Sequence, residues 1–154
     1  MYTSVLFVHS WLRWAVILLG LLAIVRGLTG SLSRRPWNRT DERIGLFFII
    51  SLDVQILIGL LLYFALSPIT KEAMADFGRA MQVSALRFWG VEHVFGMVVG
   101  TFLAHRARAR VRAIPEAVRK HRVAAIFFTL AMIAVLASIP WPGTPNARPL
   151  FRAF

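Results

Sequence analysis

Apolar residues gather in four stretches of the chain, 4–25, 44–66, 88–104 and 123–141, separated by segments rich in Arg, Pro and small polar residues. Each stretch is near the roughly 20 residues an α-helix needs to cross the hydrocarbon layer of a bilayer. Pro140 and Pro142 stop the fourth. The pattern predicts an all-α integral membrane protein, one domain of four helices running up and down. The first stretch has no basic leader and no small-residue cleavage site, and Arg26 follows it. It therefore reads as a permanent span rather than a signal peptide. Between the second and third stretches, Ser67-Pro68 opens a weakly amphipathic run from Glu72 to Leu86. That run is expected to lie as a short helix on the outer membrane surface.

Composition sharpens this picture. Of 154 residues, 58% are apolar and only 16% charged, where soluble domains carry about a quarter. Mean hydropathy is +0.66, which excludes a disordered polyelectrolyte. The chain has no Cys, so disulfides, thiolate metal sites, Cys nucleophiles and covalent c-type haem attachment are excluded. The net charge of +11 is a matter of placement: 12 of the 18 basic residues lie within residues 26–43 and 106–122, the two loops expected on one side. Lys71, Arg79, Arg87, Arg148 and Arg152 lie on the other side, and Arg13 within a span. The positive-inside rule then sets both basic loops in the cytoplasm of a bacterial inner membrane and both termini on the periplasmic side. The aromatic residues are in the spans, not interleaved with Arg, so the basic runs read as contact with anionic lipid heads and not with nucleic acid.

An ionisable side chain inside a span is costly and usually faces the bundle interior with a function. His9 and His93 each fall about five residues below the outer start of their spans. At 1.5 Å per residue this puts both imidazoles roughly 8 Å deep. Two level imidazoles suit a planar cofactor bridged between helices. His9, Arg13, Gly20 and Gly27 share one helical face, as do Trp89, His93, Gly96 and Gly100. Glycines under a His leave a flat groove for a porphyrin; they also let two helices touch closely with no cofactor. Neutral imidazole is a natural axial ligand of haem iron. Arg13 and Arg87 are the candidate partners for its propionates, and Trp89 could pack on a bound ring. Glu92 would pair with Arg13 or orient one of the histidines. The alternative is that His9 and Glu92 hydrogen-bond across the bundle while His93 caps a polar network.

Other polar positions carry weaker signals. Gln55, Gly59 and Tyr63 form an i, i+4, i+8 stripe, and Asp53 points away from it. Asp53 reads either as a proton relay or quinone hydroxyl partner, or as a neutral group bonded to a neighbouring helix. His105 and His121 could bracket a second, inner haem, but both sit in Arg-rich stretches that read as a solvated interface. Trp37 and Trp141 read as interfacial anchors.

His9-Ser10-Trp11-Leu12-Arg13-Trp14, Asp53-Val54-Gln55 with Gly59 and Leu62-Tyr63, Arg87-Phe88-Trp89 through Glu92-His93, and Ile139-Pro140-Trp141-Pro142 occur in that order. Taken together they resemble a family of small four-span bacterial membrane proteins, frequent in Bacteroidota, described as cytochrome b-like. The resemblance covers almost the whole chain and implies haem b with His9 and His93 as ligands. A His often stands in that family where this chain has Asp53, so a third, mid-membrane His is not implied here. A more distant similarity is to the membrane protoporphyrinogen oxidase family. There a Trp is followed four residues later by Lys, where this chain has Trp89 and His93, so that activity does not carry over.

The expectation is a b-type haem protein exchanging electrons with quinol or a periplasmic partner, quinone being a possible second cofactor. The expected partners are the bilayer and either other membrane subunits or further copies of the chain. The rival expectation is a non-catalytic accessory subunit of a larger respiratory or photosynthetic complex.

Overall fold

The computed structural model describes residues 1–151; Arg152 lies outside them. The protein is all-helical among these residues. Helix α1 spans Tyr2–Leu32 and α2 spans Arg39–Leu61, continuing through a π-helical turn, Leu62–Leu66. Three short helices follow, α3 (Pro68–Ala75), α4 (Phe77–Gln82) and α5 (Ser84–Arg87). A second π-helical turn, Phe88–Glu92, leads into α6 (His93–Ala113), and α7 covers Ala117–Ala137.

Local sequence sets the boundaries. Asn38 caps α2 by accepting from the Thr40 and Asp41 amides, and the Asp41 side chain accepts in return from the Asn38 amide. This is a capping box at the start of an apolar run. Ser67 caps α3 with Pro68 at its first position, where the missing N–H costs nothing. The expected surface helix over 72–86 is broken into α3, α4 and α5, because Asp76 and Val83 leave helical geometry and Asp76 caps the next turn through the Arg79 amide.

The four long helices form a ring. Helix α1 packs on α2 and α7, and α6 packs on α2 and α7, which leaves α1 and α6 diagonal. Their shared core holds Val16, Phe48, Leu52, Ala104, Phe128 and Met132, with the Phe48 and Phe128 rings edge to face at 5.5 Å. Small residues set the spacing between α1 and α7: a Cβ on Gly27 would lie 2.9 Å from the Ala125 backbone nitrogen. Around the outside, Leu18, Leu57, Phe95, Phe102, Ile126 and Ile133 are exposed.

Among the described residues, three helical stretches are long and apolar enough to cross a membrane, Tyr2–Leu32, Arg39–Leu66 and Ala117–Ala137. The expected span 88–104 is not one of them. Its first five residues form the π-helical turn, and the helix that follows runs on into Arg106, Arg108, Arg110 and Arg112.

The two ends of the ring differ. At the end bearing the Arg-rich loops, the buried Asp41 carboxylate binds Arg26 at 2.8 Å and Arg35 at 2.6 Å, and Arg108 reaches Glu42 at 3.3 Å. His121 is fully buried there, against Gly30 and 4.9 Å from the Trp37 ring. This corrects the expectation of a solvated His121, which packs into the bundle because Gly30 leaves the volume that the imidazole fills; half-buried Trp37 packs on it. Trp141 is also half-buried, its indole N–H donating to the Leu136 carbonyl at 2.8 Å.

Candidate functional site

The opposite end holds a cavity lined by His9, Arg13, Gln55, Trp89, His93 and Arg148, among others. Two π-helical turns frame it, features that recur at functional sites. They are tied together: the Tyr63 hydroxyl donates to the Gly90 carbonyl at 2.6 Å, and Thr70 donates to the Tyr63 carbonyl at 2.7 Å. The chain after α7 crosses the same end. Arg13 and the Trp14 indole donate to the Leu150 carbonyl. Phe151 stacks on Trp14 at 5.2 Å, and the Arg148 guanidinium lies over Trp89 at 5.4 Å.

The structure brings His9 and His93 together from the two diagonal helices, with ring centroids 6.4 Å apart and planes 69° to one another. Nδ1 of His93 is 2.7 Å from the Ser138 carbonyl oxygen. A carbonyl only accepts, so that nitrogen carries the proton and Nε2 keeps the lone pair. The Gln55 amide nitrogen donates to the His9 carbonyl at 3.0 Å and lies 3.3 Å from His9 Nε2. His9 Nε2 is then an acceptor and Nδ1 the protonated nitrogen. Both rings then hold the same neutral tautomer; His93 is oriented through Nδ1, the nitrogen a metal ligand leaves free, whereas Gln55 engages His9 at Nε2, the lone-pair nitrogen itself. His9 Nδ1 and Gln55 Oε1 are buried with no hydrogen-bond partner.

Trp89 is 5.4 Å from His93, ring to ring. The expected glycine grooves are filled. A Cβ on Gly20 would strike Met132 and Phe48, one on Gly96 would strike Ser138, and one on Gly100 would come within 2.8 Å of Val135. Of the two uses of glycine read from the sequence, close helix contact is the one these three serve. The glycine that opens space beside a histidine is Gly59, whose Cβ would lie 3.2 Å from His9 Cε1.

One other expectation is corrected, and Asp53 takes one of its two readings, a bond to a neighbouring helix. Glu92 pairs with neither Arg13 nor a histidine; its carboxylate binds Arg87 at 2.7 Å, and Arg87 also donates to the Met81 carbonyl. The π-helical turn carries Glu92 to the exposed side of the chain, so it and Arg87 satisfy each other away from the cavity. Asp53 has a partner, His105 on α6, at 2.8 Å. His105 and His121 point to different neighbours, α2 and the α1–α2 turn, so they do not bracket a common site. Gln55, Gly59 and Tyr63 do share the cavity, as their stripe implies, and Asp53 lies on the other side of α2.

Sequence reasoning missed the Ser138 carbonyl and the return of residues 148–151 over Trp89 and Arg13. No periodicity signals a backbone acceptor, and the tail has none of its own. No family model, curated protein or solved structure matches this chain.

Proposed function

We propose that the chain is a b-type haem-binding integral membrane protein, with His9 and His93 as axial ligands at the periplasmic end of a four-helix bundle. The observation that carries the reading is the diagonal histidine pair. A metal between two imidazoles needs about 2 Å to each nitrogen, and about 1 Å more to each ring centre, or roughly 6 Å between centroids. The 6.4 Å separation matches this. His93 Nε2 carries a free lone pair, as an axial ligand requires, and His9 Nε2 would do the same once the Gln55 amide turns wholly to the His9 carbonyl.

The donor count supports the same choice. Among the described residues no group of three or more His, Cys, Asp or Glu gathers to hold a metal ion. Two histidines alone suit a metal that brings its own equatorial ligands, as haem iron does. Bound there, haem would supply one-electron redox chemistry. The chain's own residues would do the rest. Ser138 would hold His93 through Nδ1 and Gln55 would hold the His9 backbone through its carbonyl, Trp89 lies beside His93, and Arg13 and Arg148 are the cations lining the cavity to carry propionate charge.

Membrane insertion is supported by the three long apolar helices and by the exposed Leu, Ile and Phe on the outside of the ring. In this reading α6 is the fourth span, covered at its inner end by Arg-rich turns that meet lipid phosphates. The bacterial inner membrane, with basic loops cytoplasmic and both termini periplasmic, follows from the positive-inside rule. Electrons would pass between quinol or a periplasmic partner and a larger respiratory chain. The half-exposed Asp53–His105 pair, on the outside of the ring among exposed Val54 and Phe102, favours a neighbouring subunit or second copy over it. The same pair also suits an accessory subunit, the second reading.

Replacing His9 or His93 with Ala separates the readings. The account expects each variant to insert and lose the pigment. Two variants that keep the wild-type haem spectrum contradict the ligand assignment.

A further inference from the structure

A second opening reaches the histidine pair from the side. Between α2 and α6 runs a crevice walled by Ile56, Leu60, Val94 and Thr101, and its inner end is formed by His9, Gln55 and His93. These wall residues are mostly apolar, and both helices are spans in the reading above, so the crevice faces lipid.

Its inner end is chemically unfinished. The Gln55 amide nitrogen is used on His9, which leaves Oε1 as the other atom of the carboxamide, buried and unpaired. Gln55 itself is 7% exposed. His9 Nδ1–H is the second buried group with no partner. One is an acceptor and the other a donor. Buried polar atoms of this kind are rarely left unmet. An acyl chain satisfies neither, and a carbonyl-only head cannot donate to Oε1. A hydroxyl both donates and accepts.

We infer that the crevice admits a hydroquinone-class lipid, an aromatic diol on an apolar tail, and that Gln55 Oε1 accepts a hydrogen bond from its hydroxyl. The inference builds on the reading of the chain as a membrane redox protein and chooses, between quinol and a periplasmic partner, the lipid-soluble one. Gln55 is then a specificity residue: it favours the reduced, O–H-bearing form over any form that lacks the donor. Ile56, Leu60 and Val94 contribute apolar contact with ring and tail.

The test titrates the purified full chain, kept reduced with dithionite, with decyl-benzohydroquinone and with its dimethyl ether, by calorimetry. The ether keeps the shape and loses the donor. The wild type is expected to bind the diol at least about tenfold more tightly, the usual size of one buried hydrogen bond. Gln55→Leu should bring the diol to the level of the ether. Val94→Trp, which fills the crevice wall, should weaken both probes alike. Equal binding of diol and ether by the wild type overturns the inference, and this comparison needs no variant; it is also the result if Oε1 is met by water alone. Diol preference that survives Gln55→Leu overturns it too. A colourless protein that still prefers the diol keeps this inference and removes the haem reading. A pigmented protein with no preference does the reverse.

Discussion

The two ends of the helix ring use the same residue types to opposite effect. At the basic end, His121 is fully buried beside Gly30 and Trp37, and the Asp41 side chain is 2% exposed under two guanidinium groups. At the other end, His9 and His93 face each other across a cavity, with Gly59 holding space open beside His9. Histidine, glycine and tryptophan are packing elements in the first case and site elements in the second. What separates them is closure. The basic end is sealed by a capping box and two short ion pairs, while the other end is framed by π-helical turns and a returning tail that leave room between helices.

The largest effect expected from breaking this contrast is at Asp41. Asp41→Asn keeps the shape but leaves Arg26 and Arg35 without their carboxylate, a loss of about 3 kcal/mol for a buried pair. Thermal unfolding in detergent, followed by helical circular dichroism, should fall by several degrees with the pigment unchanged below the transition. A variant as stable as the wild type would mean that the clamp does not hold the basic end.

Gly27→Ala comes next. The added methyl meets the Ala125 backbone at 2.9 Å, which cannot swing aside, and overpacking of this kind costs about 2 kcal/mol. Gly59→Ala meets only the His9 ring edge at 3.2 Å. It should change stability by less than half as much and instead shift the absorption spectrum. If the two alanines cost the same in stability and neither alters the spectrum, the distinction between packed and open ends fails.

The smallest effect is expected at Asp53→Asn. Its side chain is 39% exposed and that of His105 51%, and a hydrogen-bonded pair between membrane helices averages about 0.6 kcal/mol, so the pair is worth less than about 1 kcal/mol in the isolated chain. A melting point that falls as far as in Asp41→Asn would show the pair to be buried in the working protein, which is the signature of a neighbouring subunit over that face.

Much of this was legible in the residue pattern, and the reasons for the rest are physical. The long helices α1, α2 and α7 follow from apolar run length, and the meeting of His9 with His93 follows from their equal depth. The shared face of Gln55, Gly59 and Tyr63 follows from helical spacing. The roles of Gly20, Gly96 and Gly100 were not legible, because a glycine stripe looks the same whether a cofactor or a neighbouring helix fills it. Neither partner offered for Glu92 holds, because Glu92 lies exposed in a π-helical turn, where Arg87, five residues before it, takes the carboxylate. His121 was misread because Arg119, Lys120 and Arg122 around it signal solvent, while the residue that buries it, Gly30, lies on another helix.

The central claim is that the diagonal histidine pair holds haem b. The most direct test is a dithionite-reduced minus oxidised absorption spectrum of the detergent-purified chain from haem-replete cells, with a pyridine haemochrome assay for stoichiometry. The account predicts sharp α and β bands of a low-spin b-type centre and near-stoichiometric haem. A colourless protein with intact helical content would contradict it and leave the accessory-subunit reading in its place.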